Sequence, residues 1–374
     1  MRVPISGQVT GHEEIDNVMQ VAQSQHYGGG EWTRRFERGV ADFMGARFAS
    51  FCNSGSSALL LAMSAIELPK GSKVLTSAVN FPTTVNAIIQ RGFVPVLVDA
   101  DPKTLNAVDV DIDIDSIRAM IFAHTLGNPM DLTHYASYRL PLIEDCSDAM
   151  GGTINGRKVG RVGIMSTASF YPAHHITTGE GGAVFTDSPK LKLLVERFRD
   201  WGRDCWCEPG EDNTCGVRYA HDYDHKYTYS EIGYNLKASD FQAAVGVAQL
   251  DRLERFVRIR KENHQYLADN LKDLPIEIVE RTPLSNPSWF GFPFLTDRRN
   301  ELARFLDKKE IGNRPIMAGN IMRQPAYRDQ EMHVIGDLKG ANKIHEQGLW
   351  VGVMPAITTE MLDYVIEAFH EFYA

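Results

Sequence analysis

RFASFCNSGSSALLLAMSAI, residues 47–66, runs from a short apolar strand through a turn of small polar residues into an apolar helix. The strand ends at Cys52, the turn is Asn53-Ser54-Gly55-Ser56-Ser57, and ALLLAMSAI follows. A strand–turn–helix unit of this kind is one step of an α/β fold. Upstream, EWTRRFERGVADFMGA has the spacing of an amphipathic helix. Downstream, the apolar runs KVLTSAV, VPVLVDA, AMIFAHT, LPLIEDC, MSTASFY and GAVFTD recur, several separated by helical stretches such as TTVNAIIQRG. The alternation predicts an α/β fold with a mostly parallel sheet covered by helices.

DFQAAVGVAQLDRLERFVRIRKENHQYLADNL reads as one long helix, with a kink or break expected near Gly246. Beyond it, strands (SWFGFPF) and helices (RNELARFLDKKE, TTEMLDYVIEAFHEFY) mix as in a smaller α+β lobe. We place the large domain, with its N-terminal arm, at residues 1–250 and the small C-terminal domain at residues 251–374.

The 374 residues, 43% of them hydrophobic, can fill a core of that size. A net charge of −9 without a basic block argues against a nucleic-acid partner. The opening MRVPISGQVTGHEEIDNV has no apolar core of a signal peptide. No run approaches the ~18 apolar residues of a membrane span. The expectation is a cytoplasmic protein with no membrane partner.

Ligands of open α/β sheets gather at the carboxyl ends of the strands. His124, Asp145 and Ser169 fall where strands should end, and the turn at Ser54–Ser57 belongs to the same rim. Free N–H groups and hydroxyls at the helix start would cradle an anion such as phosphate; an ordinary serine cap is the plainer alternative. Asp145 after LPLIE could hold a protonated ring nitrogen of a cofactor; a helix cap or salt bridge is the commoner use. Asp148 is open to the same two readings.

The stretches SGSSALLLA, HTLGNPMDL, LIEDCSDAMGG, SFYPAHHITTGEGGAVFTD and GYNLKASDFQAAVGVAQL, in that order, resemble the sugar aminotransferase family of the aspartate-aminotransferase fold. The resemblance covers most of the chain and implies a fold type I architecture, with a seven-stranded-type sheet in a cofactor-binding large domain. It implies that Gly55, Ser56, Ser57 and Ser169 hold the phosphate of pyridoxal phosphate, that Phe81 stacks on the ring, and that Asp145 pairs with the pyridine nitrogen. Asn235 would reach the cofactor phosphate of a neighbouring subunit, which implies a homodimer.

Family aminotransferases carry the cofactor-binding lysine five residues after the serine; this chain has His174 there. Imidazole forms no stable imine but still serves as a base near neutral pH. The expectation is a noncovalent pyridoxal or pyridoxamine phosphate with a base and no tether, His175 having a structural part. The replacement resembles the 3-dehydrases of nucleotide-linked 4-keto-6-deoxyhexoses, the CDP-4-keto-6-deoxyglucose 3-dehydrases above all, through FYPAHHIT, FRDWGRDC, YDHKYTY, PSWFGFP and AGNIMRQP. It implies loss of the sugar's C3 hydroxyl, with His174, Asp148 and Tyr171 as catalytic residues, in deoxysugar biosynthesis of the O-antigen kind.

Cys205, Cys207 and Cys215 stand within the loop DCWCEPGEDNTC. The resembled dehydrases place a [2Fe–2S] cluster on this spacing with a fourth, distant cysteine, and receive electrons from a flavin/iron–sulfur reductase. The distant position is Ser147 here, and Cys146 is one residue out of register, so its side chain would point to the opposite face of an extended chain. Cys146, Cys205, Cys207 and Cys215 are the candidate ligands; zinc or free thiols compete with the cluster. A cluster-free dehydratase, a conventional aminotransferase using Lys237, and a non-catalytic sugar-nucleotide binding protein are the competing functions.

Overall fold

The structure, a computed structural model, describes residues 1–207, 211, 213–216 and 223–374. Each apolar run becomes a strand of one sheet. Its order is Phe48–Cys52, Gly182–Thr186, Met165–Ser169, Leu142–Asp145, Ile117–Ala123, Lys73–Ser77, Val94–Val98 and His333–Val334. The central pairs are parallel; Gly182–Thr186 is antiparallel to both neighbours. Seven strands match the expected α/β sheet. The eighth is a two-residue edge strand from the C-terminal part, pairing with Val94–Val98. Val94–Val98, Leu142–Asp145, Met165–Ser169 and Gly182–Thr186 are buried at every position, as strands covered on both faces must be.

The helix Gly55–Ala65 is apolar nearly all round because it packs against Met165–Ser169 and Gly182–Thr186 on one side and the helices Pro82–Gln90 and Pro189–Arg199 on the others. It therefore cannot slide relative to the strand ends it serves.

The long helical stretch divides at Asp251–Arg252 into Asp240–Leu250 and Leu253–Leu271, not at Gly246. Gly246 stays helical because its bare Cα admits the Phe36 ring; a Cβ there would lie 2.5 Å from Phe36 Cε2. Phe36 in turn meets Phe51 and Phe170 edge-on at 4.9 and 5.0 Å, joining three elements of the core. The glycine is a packing device, which a helix-breaker reading of the sequence misses.

Glu277–Ile278, Gly291–Leu295, Gly348–Gly352 and Asn313–Pro315 form a four-stranded antiparallel sheet. Helices Leu253–Leu271 and Thr359–Tyr373 pack together beside it. Phe290 N–H donates to the Leu126 carbonyl at 2.9 Å and Ser288 N–H to that of Gly127 at 3.1 Å, so this sheet is stitched to the loop after Ile117–Ala123. Phe290 and Trp350 thereby reach the large sheet's carboxyl edge. Among the described residues, no helix is long and apolar enough to cross a membrane.

Candidate active site

A cavity of roughly 680 Å³ opens at that edge. Gly55, Ser56, Phe81, Asp145, Asp148, Ser169, Tyr171 and His174 all line it. Among the described residues, no lysine does. Ser57 lies just behind: its N–H donates to Ser54 Oγ at 3.1 Å, closing the first turn of the helix. Asn235 is exposed and outside the lining, and the adjoining Ile232 is almost fully exposed at 93%.

The phosphate-sized corner depends on Gly55. A Cβ there would sit 2.5 Å from Ser169 Cβ, so only glycine lets the helix start and the strand end approach this closely. Ser56 and Ser169 line the cavity beside this helix start, where free N–H groups favour an anion.

Asp145 sits at the cavity floor. Its Oδ1 accepts from the Ser147 hydroxyl at 2.7 Å and N–H at 3.1 Å, and its Oδ2 from the Thr84 hydroxyl at 2.9 Å. Burial nonetheless raises its pKa above the ordinary carboxyl value; the Ser147 and Thr84 bonds oppose the rise and neighbouring Asp148 adds to it. A buried carboxylate with no cation beside it among the described residues fits the pyridinium N–H of a bound pyridoxal-type ring.

His174 Nδ1 faces Asp148 Oδ1 at 3.4 Å, both side chains nearly enclosed, and its ring packs on Phe290 at 5.3 Å between centroids. His175 turns the other way, its Nε2 bonded to Ser288 at 2.8 Å to Oγ and 3.0 Å to the carbonyl. Burial first, and the Arg260 charge next, hold His175 well below the usual histidine range, so it stays neutral.

Sequence reading missed Arg260, which is buried on the helix Leu253–Leu271. Its guanidinium donates to the carbonyls of His174 at 3.0 Å, Phe290 at 3.0 Å and Ala173 at 3.4 Å. Burial lowers its pKa to about 10, still cationic at neutral pH. Trp350, Phe290, Arg314, Met317 and Gln324 complete the cavity from the C-terminal sheet and its loops. Of these, Phe290 lies in PSWFGFP and Gln324 in AGNIMRQP.

His124 and Glu144 brace the strand ends from below. Met130 N–H donates to His124 Nδ1 at 2.9 Å, which leaves Nε2–H to face Glu144 Oε2 at 3.2 Å. Burial alone would raise the Glu144 pKa, but bonds from His124 and the backbone N–H groups of Gly160 and Gly163 bring it below the ordinary value. Lys237 lies away from the cavity, its Nζ 3.0 Å from the centre of the Trp201 ring; burial lowers its pKa to about 8.

Cys52 is buried in the core, away from the loop, and the four candidate ligands divide into two places. Cys205, Cys207, Cys215 and His225 present ligand atoms within 4.8 Å of one another. Cys146 is not brought to them. Its thiol lies in the core in a separate group with His124 and Glu144, and burial raises its pKa far above the ordinary thiol value. In the loop, burial pushes Cys205 up to about 11. Burial would likewise raise Cys207, but hydrogen bonds from the Cys215 backbone, His225 and the other thiols bring it down to about 6.

The model of the DegT/DnrJ/EryC1/StrS aminotransferase family matches residues 8–370. The chain is 45% identical to the lipopolysaccharide biosynthesis protein RfbH of Salmonella typhimurium over 99% of its length and 92% of that protein's. It is 42% identical to the dTDP-4-dehydro-2,6-dideoxy-D-glucose 3-dehydratase of Saccharopolyspora spinosa, over 99% of this chain and 86% of that one. The solved E. coli GDP-4-keto-6-deoxy-D-mannose-3-dehydratase with bound hydrated PLP superposes with a TM-score of 0.89 at 28% identity, covering 99% of both chains.

Proposed function

The chain belongs to the DegT/DnrJ/EryC1/StrS aminotransferase family, and from that premise we propose that it removes the C3 hydroxyl of a nucleotide-linked 4-keto-6-deoxyhexose. The observation that carries this reading is His174, held 3.4 Å from Asp148 in a cavity that no described lysine lines. Bound pyridoxamine phosphate supplies an amine to condense with the sugar's C4 ketone and a conjugated ring to take up electrons. Asp145 would hold the ring nitrogen, Ser56, Ser57, Ser169 and the helix N–H groups would hold the phosphate, and Phe81 would lie against the ring. His174 would serve as the base that takes a proton from the bound cofactor. Asp148 orients the imidazole and stabilises it once protonated. Tyr171 stands at the cavity mouth, beside the sugar. The exposed Arg314 reaches the nucleotide's phosphates. Asn235, beside the exposed Ile232, contributes to the partner's site in a homodimer.

The names of the relatives support a deoxysugar product for a surface polysaccharide. Lys237, committed to Trp201, disfavours an aminotransferase that would use it as a tether. An iron–sulfur centre on the loop thiolates would supply single electrons from a flavin/iron–sulfur reductase, and a cytoplasmic enzyme would meet both. The three thiols gathered in the structure fit such a group in donor chemistry.

His174→Asn tests the base. Loss of C3 hydroxyl should slow by about 10²–10⁴-fold while pyridoxamine phosphate, followed by its absorbance, stays bound. Loss of cofactor binding as the main effect would refute the assignment.

A further inference from the structure

We propose that His225 Nε2 is the fourth protein ligand of a metal centre held by Cys205, Cys207 and Cys215, and that no distant cysteine takes part. Cys207 Sγ and Cys215 Sγ are 3.5 Å apart, and His225 Nε2 lies 3.6 Å from the first and 3.4 Å from the second. Zinc–sulfur bonds near 2.3 Å and zinc–nitrogen bonds near 2.0–2.1 Å give tetrahedral edges of roughly 3.5–3.8 Å, within about 0.3 Å of these separations. Those three atoms occupy one face of such a tetrahedron, and Cys205 closes it within the 4.8 Å limit of the group.

The imidazole is presented as a ligand. Its side chain is 3% exposed, and Nδ1 faces Asp224 Oδ1 at 3.4 Å. A carboxylate beside the far nitrogen orients the ring so that Nε2 faces the Cys207 and Cys215 sulfurs. The Asp224 carboxylate is itself held by the Lys226 N–H at 2.9 Å.

The alternative ligand position is occupied otherwise. Ser147 spends its hydroxyl and N–H on Asp145. Cys146 Sγ points at the Glu144 carbonyl, 3.9 Å away inside the core. Three thiolates and an imidazole suit both zinc and an iron–sulfur centre. This deepens the reading above for the electron-carrying loop, but metal binding is measured without turnover.

The full chain, purified anaerobically, is loaded in parallel with ferrous iron plus sulfide and with zinc. Metal and sulfide per chain are then assayed, with visible spectra for iron and chelator competition for zinc. The wild type should take up one centre per chain in at least one arm, and Cys146→Ser should match it. His225→Ala should lose the centre, and Asp224→Asn should weaken it about 10–100-fold. His225→Cys should restore binding with a changed spectrum and, in the iron form, a lower reduction potential, since a thiolate replaces a neutral ligand. Retained pyridoxamine phosphate binding shows that each variant is folded. A zinc-only result keeps the ligand set and removes the electron-transfer role. An undiminished, spectrally unchanged centre in His225→Ala, loss of it in Cys146→Ser, or no metal in either arm overturns the proposal.

Discussion

The cofactor cavity and the cysteine loop are built by opposite means. In the cavity, Asp145, Ser169 and the Gly55 turn are fixed by strand ends and a helix packed on every side, so the backbone sets their positions before any ligand arrives. In the loop, the described residues that carry the thiols lie outside any helix or strand, and the short 3₁₀ turn His225–Tyr227 and the Arg203–Tyr229 bridge flank them. Geometry there comes from the donor atoms converging, which is how a metal centre couples binding to local folding. The cavity should therefore survive damage to the loop, and each variant below tests one side of that contrast.

The largest effect is expected at the cavity floor. Asp145→Asn removes the charge proposed to hold the cofactor ring, and breaking such a buried pair would cost about 3–5 kcal/mol. Pyridoxamine phosphate affinity, read by titration, should fall at least ~100-fold. The protein without cofactor should behave the other way. Its carboxyl pKa is raised by burial, so the native state binds the proton more tightly than the unfolded one. Stability then falls as pH rises from the ordinary carboxyl value through the raised one, and stays low above it. Asn abolishes that dependence. If cofactor-free Asp145→Asn melts lower than the wild type at pH 7, the carboxylate is satisfied without a ring, and the assignment fails.

Arg260→Met comes next. Three carbonyls, two of them on the His174 loop, lose a charged donor, at about 2–3 kcal/mol of stability. As a positioning residue, Arg260 should affect the rate of hydroxyl loss and its pH profile while cofactor affinity holds. Equal loss of both would make it a merely structural strut. Gly55→Ala should cost up to about 3 kcal/mol, because the new Cβ would meet Ser169 Cβ at 2.5 Å and its Cα at 3.1 Å, so the helix start must move off the strand end. That shift would show as weaker binding of the cofactor phosphate.

The asymmetry also explains what could be read from sequence. LPLIEDC and MSTASFY announce strands by apolar length, and a polar residue at the end of each marks the rim, so Asp145 and Ser169 were legible before any coordinates. Gly55 was legible as part of a turn that starts a helix. Arg260 was not: in FVRIRKEN it looks like any other charge on an amphipathic helix, and only the helix's contact with Phe290 shows it facing inward. His225 was hidden for a different reason. Nine residues separate it from Cys215, and a spacing of that length carries no periodic signal. Phe290 and Trp350 reach the cavity through sheet pairing between distant segments, which no local pattern encodes.

Removal of metal should have the smallest global effect and separates the two regions most cleanly. A ligand stabilises whatever folds around it, and here that is a loop whose described residues between 205 and 225 belong to none of the main apolar clusters. Chelation should therefore open a local unit while leaving the cooperative core intact. The thermal midpoint should move little, pyridoxamine phosphate affinity should stay within about twofold, less than ~0.5 kcal/mol, and limited proteolysis should begin to cut between residues 205 and 225. A protease-resistant loop after complete chelation would mean the thiols are ordered by the protein alone. A large fall in cofactor affinity would mean that the loop holds the cavity closed, so that the two regions fold as one unit.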